Sequence, residues 1–493
     1  MKNTFAFVSL CLAIFSSYAQ TITGKIIDSE LNEPVPFVNI QLSENKGTIS
    51  NNEGIFRLNT EGFKSSHIVA FSSMGFEEFK VSLEELQQTN TIVLKPSDEL
   101  LDQVIVSNKQ LTALEIIQKF KENRDQNHQL GSKRYRLFYR SRNSYKPQQM
   151  VFQLKKASNL RKKERKRINK AIADLNKDVA GSTSLGFSES LRDLYVQDTV
   201  YTVDLKKKIY LADSDTKADI EEYQEEAIKK LFENFDSENT FKIKIGILKI
   251  ADSVEVNSSD EQIRIQSSDV DEEDEDFSID EYPRLAFENG NWLPDVITET
   301  KYYDYQLQEP TMVKGHSQYV IHFEPGRRKG KYEGKIYIDK EDFAITQIDY
   351  QLAEGKSLFS LNLKLLGIKF DQYKAQRSLR FTKTDEGFYV PYYTSSSSAQ
   401  YVFLRRTLTF IENHLDRSKR IKFKLRFIIE AENETIDEWV LLEQENIEGK
   451  ELPKDQFVSS LETETIETYS PDIWKDYPVF EATQEMKEYH FKD

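Results

Sequence analysis

From Phe241 to Glu430 apolar and polar positions alternate with a period of two. Phe241-Lys-Ile-Lys-Ile245, Phe359-Ser-Leu-Asn-Leu-Lys-Leu365 and Ile421-Lys-Phe-Lys-Leu-Arg-Phe427 do so strictly. Side chains of a strand point alternately to its two faces, so the pattern predicts one large antiparallel sheet, one face buried and one wet. Earlier segments follow the helical period instead. Leu114, Ile117 and Phe120 follow Thr112, a capping residue type, and Ile168, Ala171, Ile172 and Leu175 lie within 151–178. Ile220, Tyr223, Ala227, Ile228, Leu231, Phe232 and Phe235 give the clearest helical face. Helices are therefore expected near 112–127, 151–178 and 219–235, with a strand at Tyr135–Tyr139. Residues 20–96 differ in texture. Thr21–Ile27, Phe37–Leu42, Gly54–Leu58, Ile68–Phe71 and Thr91–Leu94 are short extended runs, separated by turns such as Ser50-Asn51-Asn52-Glu53. That spacing predicts a small β-sandwich. The expected fold class is mainly β with some α: a small N-terminal β-sandwich, then a large antiparallel β-rich domain with two or three helices.

The first residues read as a leader rather than as fold. Lys2 is a short positive region, Phe5 to Phe15 is apolar but for Ser9, and Ser17-Tyr18-Ala19 puts small residues at −3 and −1 of a cleavage site. The apolar stretch is too short for a membrane helix, which needs about 20 residues. Cleavage after Ala19 would start the mature chain at Gln20. Cys11 lies inside the apolar run, and Leu10 before it is not small, which argues against lipidation. Nothing later in the chain has 18 apolar residues in a row, so no transmembrane helix is expected. The expected organisation is a signal peptide at 1–19, the sandwich at 20–96, a polar linker at 97–110, the β-rich domain at 111–450 and a C-terminal tail at 451–493. The linker should let residues 20–96 fold alone.

Within the sandwich, Gly24-Lys25-Ile26-Ile27-Asp28, Glu33-Pro34-Val35-Pro36-Phe37-Val38-Asn39-Ile40, Gly47-Thr48 and Glu53-Gly54-Ile55-Phe56 stand in an order that resembles the carboxypeptidase regulatory-like domain. Phe71-Ser72-Ser73-Met74-Gly75-Phe76 and Leu101-Asp102-Gln103-Val104-Ile105-Val106 are similar to the way that domain ends in outer-membrane receptors of Gram-negative bacteria. The resemblance implies a transthyretin-like sandwich without catalytic residues and a place in the cell envelope. Gly54 and Gly75 fall where a turn needs positive φ or no side chain. Asn51 departs from the family, which more often carries Asp there. The receptor barrel itself is not expected, because about 22 strands do not fit in the chain after Val106. Farther on, Tyr319-Val-Ile-His-Phe323, Gly334-Lys-Ile-Tyr-Ile-Asp339, Phe343-Ala-Ile345 and Ile348-Asp-Tyr350 form a three-strand meander. It is similar to an element of periplasmic lipoprotein carriers, which implies a curved sheet or half-barrel with an apolar concave face.

Composition narrows the function. The 493 residues hold 67 Lys+Arg against 82 Asp+Glu, a formal charge of −15, so a nucleic-acid partner is not expected. With 38% apolar residues and 31 Phe the chain has the mass for real cores, and its length suits two to four domains. Cys11 is the only cysteine, which excludes disulfides and cysteine metal sites from the mature chain. None of His67, His128, His316, His322, His414 and His490 is followed by Glu three residues on, the pair a zinc carboxypeptidase uses. His322 reads as a structural histidine on a strand. Gly326-Arg-Arg-Lys-Gly330 and Gly334-Lys335 lack P-loop spacing and read as a basic hairpin turn. Nine basic residues in Lys155–Lys170 and nine acids in Asp269–Glu281 read as solvated charge, or as partners for each other. Tyr302, Tyr303, Tyr305, Phe388, Tyr389, Tyr392 and Tyr393 read as sheet core, or as a surface for a glycan or apolar ligand. No catalytic, cofactor-binding or metal-ligating residue is expected. The leading expectation is a non-enzymatic exported protein, periplasmic or outer-membrane-associated, that binds or scaffolds an envelope protein. The alternatives are a periplasmic carrier of a lipid or other apolar ligand, and a hydrolase with a non-local site. An enclosed apolar pocket would favour the carrier, a continuous packed core the scaffold.

Overall fold

The computed structural model describes residues 21–97, 111–127, 132–179, 182–197, 200–212, 240–254, 294–363, 367–384, 387–403, 406–449 and 463–489 except 476 and 478, with residues 223, 226, 227, 229–232 and 235. The leader, nearly all of the linker and the acidic run Asp269–Glu281 lie outside the described residues. So do Ile220 and Ile228 of the third expected helix, whose Tyr223, Ala227, Leu231 and Phe232 are helical.

The N-terminal strands form two sheets. β1 (Thr21–Asp28) lies between antiparallel β4 (Ile55–Asn59) and parallel β7 (Thr91–Leu94). The second sheet runs β6 (Phe79–Ser82), β5 (Ile68–Ser72), β2 (Asn39–Ser43), β3 (Lys46–Ile49), all antiparallel. Ile22, Ile26, Val38, Ile40, Phe56, Phe71 and Leu94 fill the space between them. The helix α1 (Leu83–Gln88) was not legible from periodicity; a Ser82/Glu85 capping box starts it. Gly54 has φ +72°, and a Cβ there would lie 2.7 Å from Ile26 O, so the turn needs glycine as expected.

Two 25-residue strands, β8 (Lys133–Ala157) and β21 (Lys422–Asn446), pair antiparallel almost throughout and form the spine of the large sheet. At ~3.4 Å per residue the spine is about 80 Å long. Outward from β8 lie β9 (Ser184–Gln197), β10 (Val200–Ala212) and the parallel β22 (Glu464–Ile466). The other edge of β21 has three successive neighbours: β20 (Thr407–Glu412), β19 (Gly387–Phe403) and, through Lys46 opposite Glu443, β3 of the sandwich. From β20 the ladder continues to the hairpin β11 (Phe241–Ile245) and β12 (Leu248–Val254). From β19 it continues to β18 (Ile368–Thr384), whose far edge is shared by β17 (Phe359–Leu363) and β16 (Ile345–Leu352). Beyond β16 come β15 (Tyr332–Asp339), β14 (His316–Pro325) and β13 (Tyr303–Val313). Among the described strands these ladders end at free edges and close no ring.

The sheet curls. Leu194 and Val196 of β9 share one core with Ile321 and Phe323 of β14, although the strands stand far apart in the ladder. What joins them is α2 (Ala113–Asn127), which sends Ile116, Ile117 and Phe120 into the same cluster. Thr112 and Glu115 cap it reciprocally, at 2.7 Å for Thr112 N to Glu115 Oε2 and 3.3 Å for Glu115 N to Thr112 Oγ1.

Four expectations need correction. Part of the sheet is buried on both faces: Tyr393 of β19 enters the core around α2 while Tyr392 enters a second core opposite, and beside them in the spine Trp439 and Leu441 oppose Val440 and Leu442 in the same way. β17 alternates strictly yet is exposed at every position, because as an edge strand it has no layer packed on it. The helix expected over 151–178 starts only at Lys162, as α3 (Lys162–Val179). Before it, Met150, Phe152 and Leu154 enter a third core at period two, as strand residues, and Ile172 and Ile168 join that core from the helix. On α2 the buried stripe is Ala113, Ile116, Ile117 and Phe120, with Leu114 53% exposed.

The C-terminal segment is built into the body. After β22 come a single 3-10 turn at Pro471–Trp474 and the short helix α5 (Gln484–Lys487). Trp474, Val479, Phe480, Ala482 and Met486 are buried against the outer face of the spine, in one core with Ile49 and Phe37 of the sandwich.

Candidate functional site

The sandwich, the spine and the C-terminal segment meet at one junction, and two arginines on neighbouring parts of the sheet define it. Arg140 of β8 shares a strand face with Phe138, because residues two apart point the same way. It is 2% exposed. Its Nε and Nη2 donate to Glu189 Oε1 at 2.8 and 2.6 Å, Nη1 donates to Glu481 O at 3.0 Å and Nη2 to Phe480 O at 3.1 Å. The guanidinium also lies over the Phe480 ring, 4.9 Å from its centroid. Trp474 Nε1 completes the other side by donating to Glu189 Oε2 at 2.7 Å. Burial works against the charge of Arg140, but Glu189 and Glu438 outweigh it and hold its pKa above the ordinary arginine value. The network fastens the C-terminal segment to the spine.

The same segment reaches the sandwich. Asn51 is fully buried; its Oδ1 accepts from Glu53 N at 3.0 Å and Ile55 N at 2.9 Å, and its Nδ2 donates to Ala482 O at 3.3 Å. An aspartate could make the first two bonds but has no hydrogen for the third while ionised. Asparagine at this position therefore supports the docking. Gln484 N, at the start of α5, donates to both Glu53 carboxylate oxygens at 3.0 and 3.1 Å. Arg57 Nη1 donates to Pro471 O at 3.3 Å.

Arg380 of β18 occupies the other side of the junction. Its Nη1 donates to Phe37 O at 2.9 Å, and the guanidinium lies over the Phe37 ring, which stacks on Tyr392 with centroids 4.9 Å apart. Burial pulls the Arg380 pKa below the ordinary arginine value, and Asp349 only partly offsets it. Beside Arg380 lies a cavity of about 300 Å³ between the second sandwich sheet and the large sheet. Phe37, Met74, Lys314, Asp339, Arg380 and Phe381 are among its lining residues.

The residues singled out from the sequence do not converge on a site. Tyr303 is buried and donates its hydroxyl to Asp295 Oδ1 at 2.8 Å, while Tyr305 donates to Val296 O, both on the short helix α4 (Asp295–Thr298). Tyr392 and Tyr393 are fully buried on opposite faces of β19. These are sheet core. The side chains of Phe388 and Tyr389 lie outside the described residues. His322 is half-buried between Gln306 and Lys335 on neighbouring strands, and Gly326–Gly330 is a turn, exposed up to Lys329, held by Gly326 N to Tyr302 O at 3.0 Å. Among the described residues no cluster of three or more His, Cys, Asp or Glu is placed to hold a metal. The periodicity reading missed Arg140, Glu189, Arg380 and Lys314. The aromatic run Trp474, Tyr477 and Phe480 was the signal that the C-terminus is packed.

Residues 22–106 match the family model of the CarboxypepD_reg-like domain, in agreement with the resemblance and with the observed sandwich. That domain is non-catalytic. Among curated proteins none matches the chain.

Proposed function

We propose that the protein is a non-enzymatic exported envelope protein that binds or scaffolds through a regulatory-like sandwich fixed to a large curled sheet. The observation that carries this reading is the shared core in which Ile49 and Phe37 pack with Tyr392, Trp474 and Phe480. A sandwich fastened this way is a rigid presenting surface rather than a tethered accessory. The envelope place follows from the leader reading and from the receptors that the module resembles. No described helix is long and apolar enough to cross a membrane. The lipid-carrier alternative would need an open apolar hollow. The hollow of the curled sheet is instead filled by Ile116, Ile117 and Phe120 of α2, packed against Tyr393, Trp439 and Ile348. Cell fractionation with mass analysis of the mature chain tests the proposal. A chain starting at Gln20 in the periplasmic or outer-membrane fraction is expected. Intact Met1 on mature protein in the cytoplasm would overturn it.

A further inference from the structure

The junction cavity is lined by residues with unanswered donors. Among the described residues Nε of Arg380 and Nδ2 of Asn39 are buried with no acceptor. Lys314 sits at the first position of a two-residue hairpin loop, with φ +47° followed by Gly315 at +77°. Among the described residues its ammonium donates to the neutral Gln41 Oε1 alone, at 3.0 Å. The one carboxylate on the wall, Asp339, is already engaged. Its Oδ1 accepts from Glu341 N and Asp342 N, and its Oδ2 accepts from Gln318 Nε2. Of the other nitrogen groups of the wall, Lys383 pairs with Asp342, and His316 Nδ1 makes no hydrogen bond among the described residues but lies 3.5 Å from Glu341 Oε2.

Arg380 and Lys314 thus bring two cations to the cavity, and among the described residues neither has a carboxylate within ion-pair distance. Both side chains are half-buried, and holding cations out of water in this way costs free energy unless an anion is supplied. The rest of the wall includes Phe37, Ile49, Met74, Val313, Phe381 and Pro391, which are apolar. An inorganic anion would answer the cations and leave that wall unfilled; a neutral apolar molecule would do the reverse. The volume, about 300 Å³, is roughly twice that of a cavity that holds benzene. It accommodates a ring or short chain together with an acid group.

We propose that this cavity binds a small organic carboxylate with an apolar body, its acid group held by Arg380, Lys314 and Asn39 and its body by Phe37, Met74 and Phe381. The inference rests on the reading of the chain as a binding protein and gives the ligand its chemical class. Titration calorimetry of the full chain with phenylacetate, and with its neutral isostere phenylacetamide, tests it. Phenylacetate is expected to bind at least about tenfold more tightly than the amide, the scale of a charge-assisted hydrogen bond. Arg380→Gln and Lys314→Gln should each lose about tenfold or more for the acid and nothing for the amide. A variant without native circular dichroism is set aside, and the other decides. Equal affinity for acid and amide, no binding of the acid, or unchanged binding by the folded variants would overturn the proposal. The two readings fail separately. A chain found in the envelope that ignores phenylacetate loses the ligand and keeps the function; a cytoplasmic chain loses the function whatever the titration gives.

Discussion

Arg140 and Arg380 reach the junction from the same sheet and meet opposite electrostatic surroundings. Arg140 is answered on every side, by Glu189, two backbone carbonyls and an aromatic face. Among the described residues Arg380 has one carbonyl and one ring, its Nε has no acceptor, and Asp349 only partly offsets its burial. The pKa of the first is raised and that of the second lowered. A buried charge with its partners in place locks elements together; one left short of partners is a place where stability is given up for recognition.

The sharpest way to break this comparison is to remove both charges by the same substitution. Arg140→Met strands Glu189 in a buried site and should cost about 3–5 kcal/mol in denaturant unfolding. A loss under about 1 kcal/mol would deny the network its structural role. Asn51→Asp should cost less, about 1–3 kcal/mol near neutral pH, because a carboxylate would face Ala482 O with no hydrogen to donate. Acid should restore part of that loss as the carboxyl protonates, and stability measured from neutral pH downwards shows whether it does. Arg380→Met should lie within about 1 kcal/mol of the parent without ligand, since the lost bond to Phe37 O is offset by relief of a half-buried charge short of partners. A cost there equal to that at Arg140 would erase the distinction between the two sites.

The smallest effect concerns Glu438, which accepts from Tyr392 OH at 3.2 Å and lies 3.9 Å from Arg140. Burial raises its pKa above the ordinary 4.5, with Arg140 opposing. The folded chain therefore keeps this proton longer than the unfolded chain. Its contribution to stability is greatest below 4.5 and is lost as pH rises through the raised folded value. Glu438→Gln should remove that decline. The stability difference between variant and parent should widen as pH rises from 4.5 and then level off. A difference that narrows over the same range would reverse the assignment.

Much of the fold was legible where burial is one-sided and local. The sandwich strands, the Thr112 cap and the meander that became β14, β15 and β16 follow from short-range pattern and turn chemistry. Only Tyr135–Tyr139 of the long strand β8 was legible, because Arg140-Ser141-Arg142-Asn143-Ser144 holds no apolar position, and Pro147 stands at a register shift opposite Ala431. The arginines of β8 are satisfied by acids far along the chain, such as Asp193 for Arg136 and Glu485 for Arg142. Pairings of that kind carry no sequence periodicity. The same holds for Asn51, whose part in the docking was visible only once Ala482 stood beside it. The cavity was illegible for the same cause, since Asn39, Lys314 and Arg380 come from three separate hairpins.

The central claim is that sandwich, spine and C-terminal segment hold together as one unit, the segment fastened to the spine by Arg140 and to the sandwich by Asn51 and Glu53. Amide hydrogen exchange read over residues 39–49, 137–142 and 474–486, in the parent and in Arg140→Met, tests it most directly. Similar protection of the strand and core amides in all three segments, falling together in the variant, is the predicted result. Residues 39–49 keeping their parental protection while 474–486 lose theirs would contradict it.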